Sequence, residues 1–408
     1  MEKKLWTKNF TIITAGSVIS MIGNSLAGFA TGLLVLDYTE STFLYALYMV
    51  LYTLPQVIMP SLAGPFIDKF SRRKTIYTLD FISGIIYALF AVVVFTDNLN
   101  YVFLVVGCTL IGAINSIYMV TYDSFYPMLI TEGYYSKAYS VASTLESLTA
   151  LVVPISVLIY NLIGIGPLFL IDTVSFFIAA IMETQIHVEE KYVRKEGEVF
   201  GFQQYRKNFV EGLDYLRKEK GLMAITLYFS LTFLFSASSG ILLLPYFRSN
   251  IPNGEYLYLC VMGCMFIGRM VGGAIHYKRK IKPEHKFIVA ICVYTTISII
   301  EGSLLYFPIV IMMAMNFMDG ILGMTSYNIR IAATQSYIPH ENKGRFNGIF
   351  LMLTTIGSLI GQFTAGLLSE FFPERYIISA FMTMNLVAVF VFIYGRRKYV
   401  KQVYNRET

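Results

Sequence analysis

With 408 residues, 56% of them hydrophobic and only 14% charged, and a mean hydropathy of +0.59, the chain holds more apolar surface than one water-facing core can bury. That excludes an ordinary soluble enzyme and makes lipid the solvent for much of the chain. The formal charge of +6 gathers in alternate loops, where it orients a membrane protein, and so gives no ground for nucleic-acid binding.

Apolar runs long enough to cross a hydrocarbon core of about 30 Å as a helix recur from end to end. In chain order the predicted spans are 10–36, 41–63, 75–95, 101–122, 138–160 and 167–187, then 222–245, 256–276, 286–305, 309–331, 346–370 and 376–396. The first lacks a small-residue cleavage site and leads at once into the second, so it reads as an uncleaved helix and not a signal peptide. Runs so uniformly apolar are too long for barrel strands. Lys3, Lys4 and Lys8 precede the first span, Lys69 and Arg72 to Lys74 come after the second, and Lys137 lies between the fourth and fifth. The same side takes the central loop, Lys278 to Lys282, Lys343, Arg345 and Arg396 to Lys398, whereas the opposite loops hold little beyond Arg248 and Arg375. Because positive loops stay in the cytoplasm, both termini are expected there.

The layout is therefore an all-α membrane protein of twelve transmembrane helices in two six-helix bundles, 1–187 and 222–408. A cytoplasmic linker, 188–221, joins them, which is the arrangement of a secondary transporter. Within the linker Phe202, Tyr205, Phe209, Leu213 and Leu216 recur at helical spacing among charges, predicting an amphipathic helix lying along the inner membrane surface as a tether. Gly28/Gly32, Gly268/Gly272 and Gly357/Gly361 are GxxxG pairs that let helices approach closely. Pro55, Pro60, Pro127 and Pro154 are placed to kink spans or mark their ends. The four cysteines fall inside spans and the four histidines at cytoplasmic span ends or loops, a distribution that offers no metal cluster. No strand-borne phosphate-binding loop is present, and no cofactor is expected.

The stretch Gly64-Pro65-Phe66-Ile67-Asp68-Lys69-Phe70-Ser71-Arg72-Arg73-Lys74 is similar to the signature loop of the major facilitator superfamily, with lysine at 69 where arginine is usual and serine at 71 where glycine is usual. The resemblance implies a conformational lock built on Gly64, Asp68, Lys69, Arg72 and Arg73. In it Asp68 faces a helix N-terminus and Arg72 pairs with Asp123 on the fourth span. A carboxylate so placed gains roughly 0.3–1 kcal/mol, enough to bias two states. Phe209 to Leu216, and Gln335 to Pro339 with Glu341, Gly344 and Arg345, resemble the drug-efflux branch, especially macrolide-efflux and siderophore-export relatives. In the fifth span, Val153-Pro154 with Val157-Leu158 departs from the glycine-rich antiporter pattern, and Asn24 stands where an acidic residue often comes after the first span's glycine.

A charge at mid-bilayer costs at least about 2.5–3.5 kcal/mol, so those present need a partner, a cavity or a task. Asp319 is nearest the middle of a span and reads either as a protonation or cation site or as the structural partner of Arg269 on the eighth span. Glu146 and Asp80 lie in the cytoplasmic halves of theirs and are further proton or substrate candidates. The 30 Tyr and 32 Phe suit a greasy cavity as well as simple packing. Together these features predict a multi-pass transporter of the inner membrane, not an enzyme, that exports hydrophobic or cationic macrolide-like compounds by proton antiport and can work as a monomer. Its partners would be the small-molecule substrate, protons and the lipid bilayer. The alternatives are an importer or facilitator of a small metabolite, and a non-transporting sensor or lipid scramblase on the same scaffold.

Overall fold

The described residues of the computed structural model are 4–67, 70–134, 137–139, 141, 142, 145, 152–188, 190, 202–278 and 281–405, with the backbone alone described at 60–67, 202–209, 340 and 341. They are helical throughout, with no strand among them. The helices are α1 Lys8–Thr39, α2 Thr42–Ile67, α3 Arg72–Phe95, α4 Tyr101–Phe125, α5 Val153–Ile163 and α6 Ile165–Glu183. Beyond them come α7 Phe202–Lys218, α8 Lys220–Asn250, α9 Gly254–Lys278, α10 Lys286–Ser303, α11 Ile309–Tyr337, α12 His340–Ser369, α13 Glu374–Ala388 and α14 Arg397–Tyr404. Polar residues of the short loops start several of them: Thr7 accepts from the Phe10 amide at 3.2 Å, Ser71 from Lys74 at 3.2 Å and Asn100 from Val102 at 2.8 Å.

Among the described residues, 11 helical segments are long and apolar enough to cross a membrane. The expected fifth span, 138–160, lies largely outside the described residues, and its last part is α5, which opens on Pro154 in its first turn. Asp68, Lys69 and Glu146 also lie outside the described residues.

The chain divides into two compact units, one of Met1–Glu40 with Tyr48–Gln203, the other of Ser41–Leu47 with Gln204–Thr408. In the first, α1 and α3 both pack on α6, α4 packs on α3, and α5 lies along α1, where Ser156 Oγ donates to the Leu26 carbonyl at 2.8 Å. Tyr87 is the hub of an aromatic cluster, stacked on Phe176 at 5.8 Å and edge-on to Phe90 at 5.8 Å.

The second unit has two tight crossings. At α9 against α11, Gly268 sits on the Phe317 carbonyl and Gly320 on the Met265 carbonyl; at α8 against α12, Gly357 and Gly361 sit on the carbonyls of Ser230 and Leu234. A side chain at any of these positions would push two backbones apart. Beside these seams lies a core of Tyr228, Phe229, Tyr294, Phe350 and Tyr404. Arg330 is held there by aromatic faces, its guanidinium 4.6 Å from the Phe350 ring and 5.2 Å from that of Phe229.

Both short amphipathic helices belong to this unit. The linker helix α7 turns Leu216 into the same core, ties Glu211 to Arg345 at 2.8 Å and fits Gly212 under Ile349. It is thus seated on protein and is not a free tether. At the other end α14 buries Val400, Val403 and Tyr404. The Tyr404 and Tyr294 hydroxyls meet at 2.8 Å, and burial raises the Tyr404 hydroxyl above its ordinary pKa. Asn405 then accepts from the Phe287 amide at 3.1 Å and donates to the Glu284 carbonyl at 3.2 Å, closing the open end of α10.

Two substitutions separate the hydrogen bond from the packing. Tyr404→Phe should cost about 1 kcal/mol and Tyr404→Ala about 3–5 kcal/mol, read as melting temperature of the detergent-purified protein. Equal melting of the two would mean that α14 does not contribute to the core.

A cavity with a buried carboxyl pair

Within the first unit α1, α3 and α4 enclose a cavity of ≈ 340 Å³. On α1, Thr14, Ser17, Ser20 and Asn24 face it at spacings of three, three and four, so an otherwise apolar helix presents one polar stripe. Ser17 and Ser20 return their hydroxyls to their own helix, Ser17 to the Ile13 carbonyl at 2.7 Å and Ser20 to that of Gly16 at 3.3 Å. Asn24 accepts from the Tyr87 hydroxyl at 3.2 Å. The α4 wall adds Asn115, Tyr118, Tyr122 and Asp123, and Met21, Ile111 and Met119 supply apolar surface. Tyr118, Tyr122 and Tyr126 stack in sequence, with ring centres 5.9 Å and 5.2 Å apart.

Asp80 of α3 reaches the cavity wall although it is only 2% exposed. Behind it stands Glu183 of α6, 0% exposed, with its carboxyl group in hydrogen-bonding reach of Asp80. As carboxylates both would be acceptors only, and Asp80 Oδ2 and both Glu183 oxygens have no donor. The Tyr118 hydroxyl, itself without a partner, lies beside Glu183. A third carboxyl, Asp172, is also fully buried; its Oδ1 accepts from Ser175 Oγ at 3.1 Å while its Oδ2 has no donor. Gly16 and Gly23 of α1 leave the room these acids occupy: Gly16 faces the Glu183 side chain, and a Cβ at Gly23 would strike Ser175 and Asp172. Gly28, by contrast, has nothing within 4 Å and makes no close approach.

Of the signature loop, Arg72 donates to the Ser124 carbonyl at 3.1 Å and lies 3.6 Å from Met128 Sδ, one residue along from Asp123, which is in the cavity wall. The Arg73 amide donates to Glu190 at 3.1 Å, and its guanidinium reaches the Ile186 carbonyl. Gly64 is in the last turn of α2. The second unit brings Asp319 and Arg269 into electrostatic reach of one another and adds Glu301, whose carboxyl is 3.5 Å from Ser239 Oγ.

Sequence reasoning did not single out Glu183, near the end of an apolar span. The available signal was its position eleven residues after Asp172, about three helical turns, which returns it to the same face of α6.

The family profile described as a transmembrane secretion effector, of the MFS type, matches residues 4–402. An uncharacterized MFS-type transporter, YkuC of Bacillus subtilis (strain 168), is 23% identical over 411 residues, covering 95% of this chain and 91% of that protein. Among solved structures, the nucleoside transporter NupG superposes with a TM-score of 0.68 at 11% identity, over 95% of this chain and 99% of that one. A bacterial homologue of the iron transporter ferroportin in its inward-facing state gives 0.68 at 14% identity, over 97% and 100%. At these identities the likeness is one of fold.

The glycine seam gives a paired prediction. Gly23→Val should lower stability by about 1–3 kcal/mol through overpacking against Asp172 and Ser175, whereas Gly28→Val should be silent. Size-exclusion profiles and melting curves of the two variants check it, and equal behaviour would remove the α1–α6 seam as a constraint.

Proposed function

The chain belongs to the transmembrane secretion effector family of MFS-type transporters, and from that premise we propose that it is a proton-coupled exporter of hydrophobic or cationic small molecules. The observation that carries the reading is the first unit's cavity, in which tyrosine, methionine and isoleucine surfaces surround the single deep carboxyl of Asp80. Such a lining suits a bulky amphiphile, whose apolar body fills the cavity while a cationic group approaches the acid. The family is one of membrane transporters, and a transporter of this kind takes its energy from an ion gradient, not from catalysis.

In this reading twelve spans form two six-helix bundles that alternate access to the two sides of the cell membrane, with both termini in the cytoplasm. Gly64, Asp68, Lys69, Arg72, Arg73 and Asp123 form the lock that holds one state. The fixing of Arg72 to the end of α4 supports this, since it makes the basic turn part of the first unit's rigid body. Asp80 and, in the second unit, Asp319 with Arg269 are the charged groups that answer to substrate or proton, and Glu146 is a further candidate.

A second reading, import of a small polar metabolite, draws on the Thr14, Ser17, Ser20 and Asn24 stripe, which offers hydroxyl and amide partners. The test is accumulation of labelled macrolides, cationic dyes and a nucleoside in cells expressing the protein or its Asp68→Asn variant, with and without a protonophore. Export predicts lower accumulation of at least one amphiphile, abolished by the protonophore and by the variant. Raised nucleoside uptake with unchanged dye levels would replace export by import.

A further inference from the structure

We propose that Asp80 and Glu183 form one proton-binding site, extended along α6 to Asp172, and that this row is where the first unit takes up and releases the coupling proton. The proposal rests on the proton-coupled reading above and assigns that coupling to named groups. Its geometry is a seam between α1, α3 and α6 that holds three carboxyl groups, each at most 2% exposed. The charged groups these carboxyls feel, among the described residues, are one another. From α1 the seam receives Gly16, Ser17 and Gly23, none of them titratable; from α4 it receives the Tyr118 hydroxyl, with Tyr122 and Asp123 further along the cavity wall; from α3 comes Tyr87 beside Asp172. No guanidinium or ammonium is among these groups.

Four carboxyl oxygens in the row lack any donor: Asp80 Oδ2, Asp172 Oδ2 and both oxygens of Glu183. Two carboxylates in contact in apolar surroundings repel, and each loses its water, whereas one proton between them removes a charge and supplies the missing donor at once. Thr14, 6% exposed and with its hydroxyl unpartnered, opens on the same cavity as Asp80, so polar groups continue from the pair to the cavity. Asp80 is thus the member that substrate can meet, and Glu183 the member that holds the proton when substrate occupies Asp80. A cationic substrate displacing the shared proton gives exchange of one positive charge for another without a net charge ever resting in the seam.

The experiment reads the proton directly and needs no substrate. Infrared spectra of the full chain in lipid nanodiscs should show, at neutral pH, the carbonyl stretch of a protonated carboxylic acid. That band should fall in both Asp80→Asn and Glu183→Gln, with melting curves confirming that each variant is folded. Absence of the band in the wild type, or a band unchanged by both substitutions, overturns the proposal. So does its removal by sodium chloride at constant pH, which would make the pair a metal-cation site. In proteoliposomes loaded with the dye exported by the wild type, Glu183→Gln should lose transport driven by a pH gradient and keep dye-for-dye exchange. If no compound is exported at all, the export reading fails while the infrared result still decides the proton site.

Discussion

A carboxyl group deprived of water must find a donor, a counter-charge or a proton, and the first unit is arranged around that constraint. On insertion scales three ionised acids at membrane depth would cost about 8–10 kcal/mol, comparable to the whole folding stability of a typical domain. The seam between α1 and α6 cannot therefore be a passive packing surface. Its glycines bring the helices together closely enough to exclude water, and the exclusion makes the charge state of Asp80, Glu183 and Asp172 matter. The second unit meets the same constraint differently: Arg269 stands near Asp319 and Glu301, one cation for two acids, with Ser239 at hand. One unit neutralises by proton, the other largely by ion pairing.

Packing obeys a division of labour that the residue types dictate. Where two backbones must touch there is glycine, as at Gly268, Gly320, Gly357 and Gly361; where a volume must be filled there are rings, as around Tyr87 and Tyr228. Arg330 shows that rings can also stabilise a cation: three aromatic faces lie within 5.5 Å of its guanidinium. That arrangement depends on a planar, weakly hydrated group, and a lysine there would keep the charge but lose the stacking.

The helical architecture was legible because hydropathy reports spans directly: every predicted span except 138–160 coincides with a helix of suitable length. The α1 stripe was less visible, since serines and threonines in an apolar run look like tolerated exceptions until the cavity places them on one face. Glu183 was missed because a lone acid near a span end resembles an interfacial charge; only the meeting of α3 and α6 turns it into a partner of Asp80. The pairing of Phe209–Leu216 with the segment around Arg345 was equally hidden. Each carried its own resemblance, and nothing in either string states that Glu211 of one reaches Arg345 of the other. Glycine spacing misled at Gly28, where the GxxxG pattern is present but no helix lies against it. Spacing says which residues share a face, not whether a neighbour occupies it.

After α13 the chain leaves α-helical geometry for a π-helical stretch, Val389–Tyr394, in which the Gly395 amide reaches back five residues to the Phe390 carbonyl at 2.7 Å. Such a stretch accommodates one residue more than an α-helix of the same rise. Everything downstream is phased by that extra residue, including the face of α14 that carries Val400, Val403 and Tyr404 inward. Deleting a single residue between 389 and 394 would restore regular helix and rotate α14 by about 100°, swinging its charged side toward the core. Sequence length in this short stretch is therefore fixed more strictly than sequence identity: exchange of one apolar side chain for another is tolerable there, but a change of one codon in number is not.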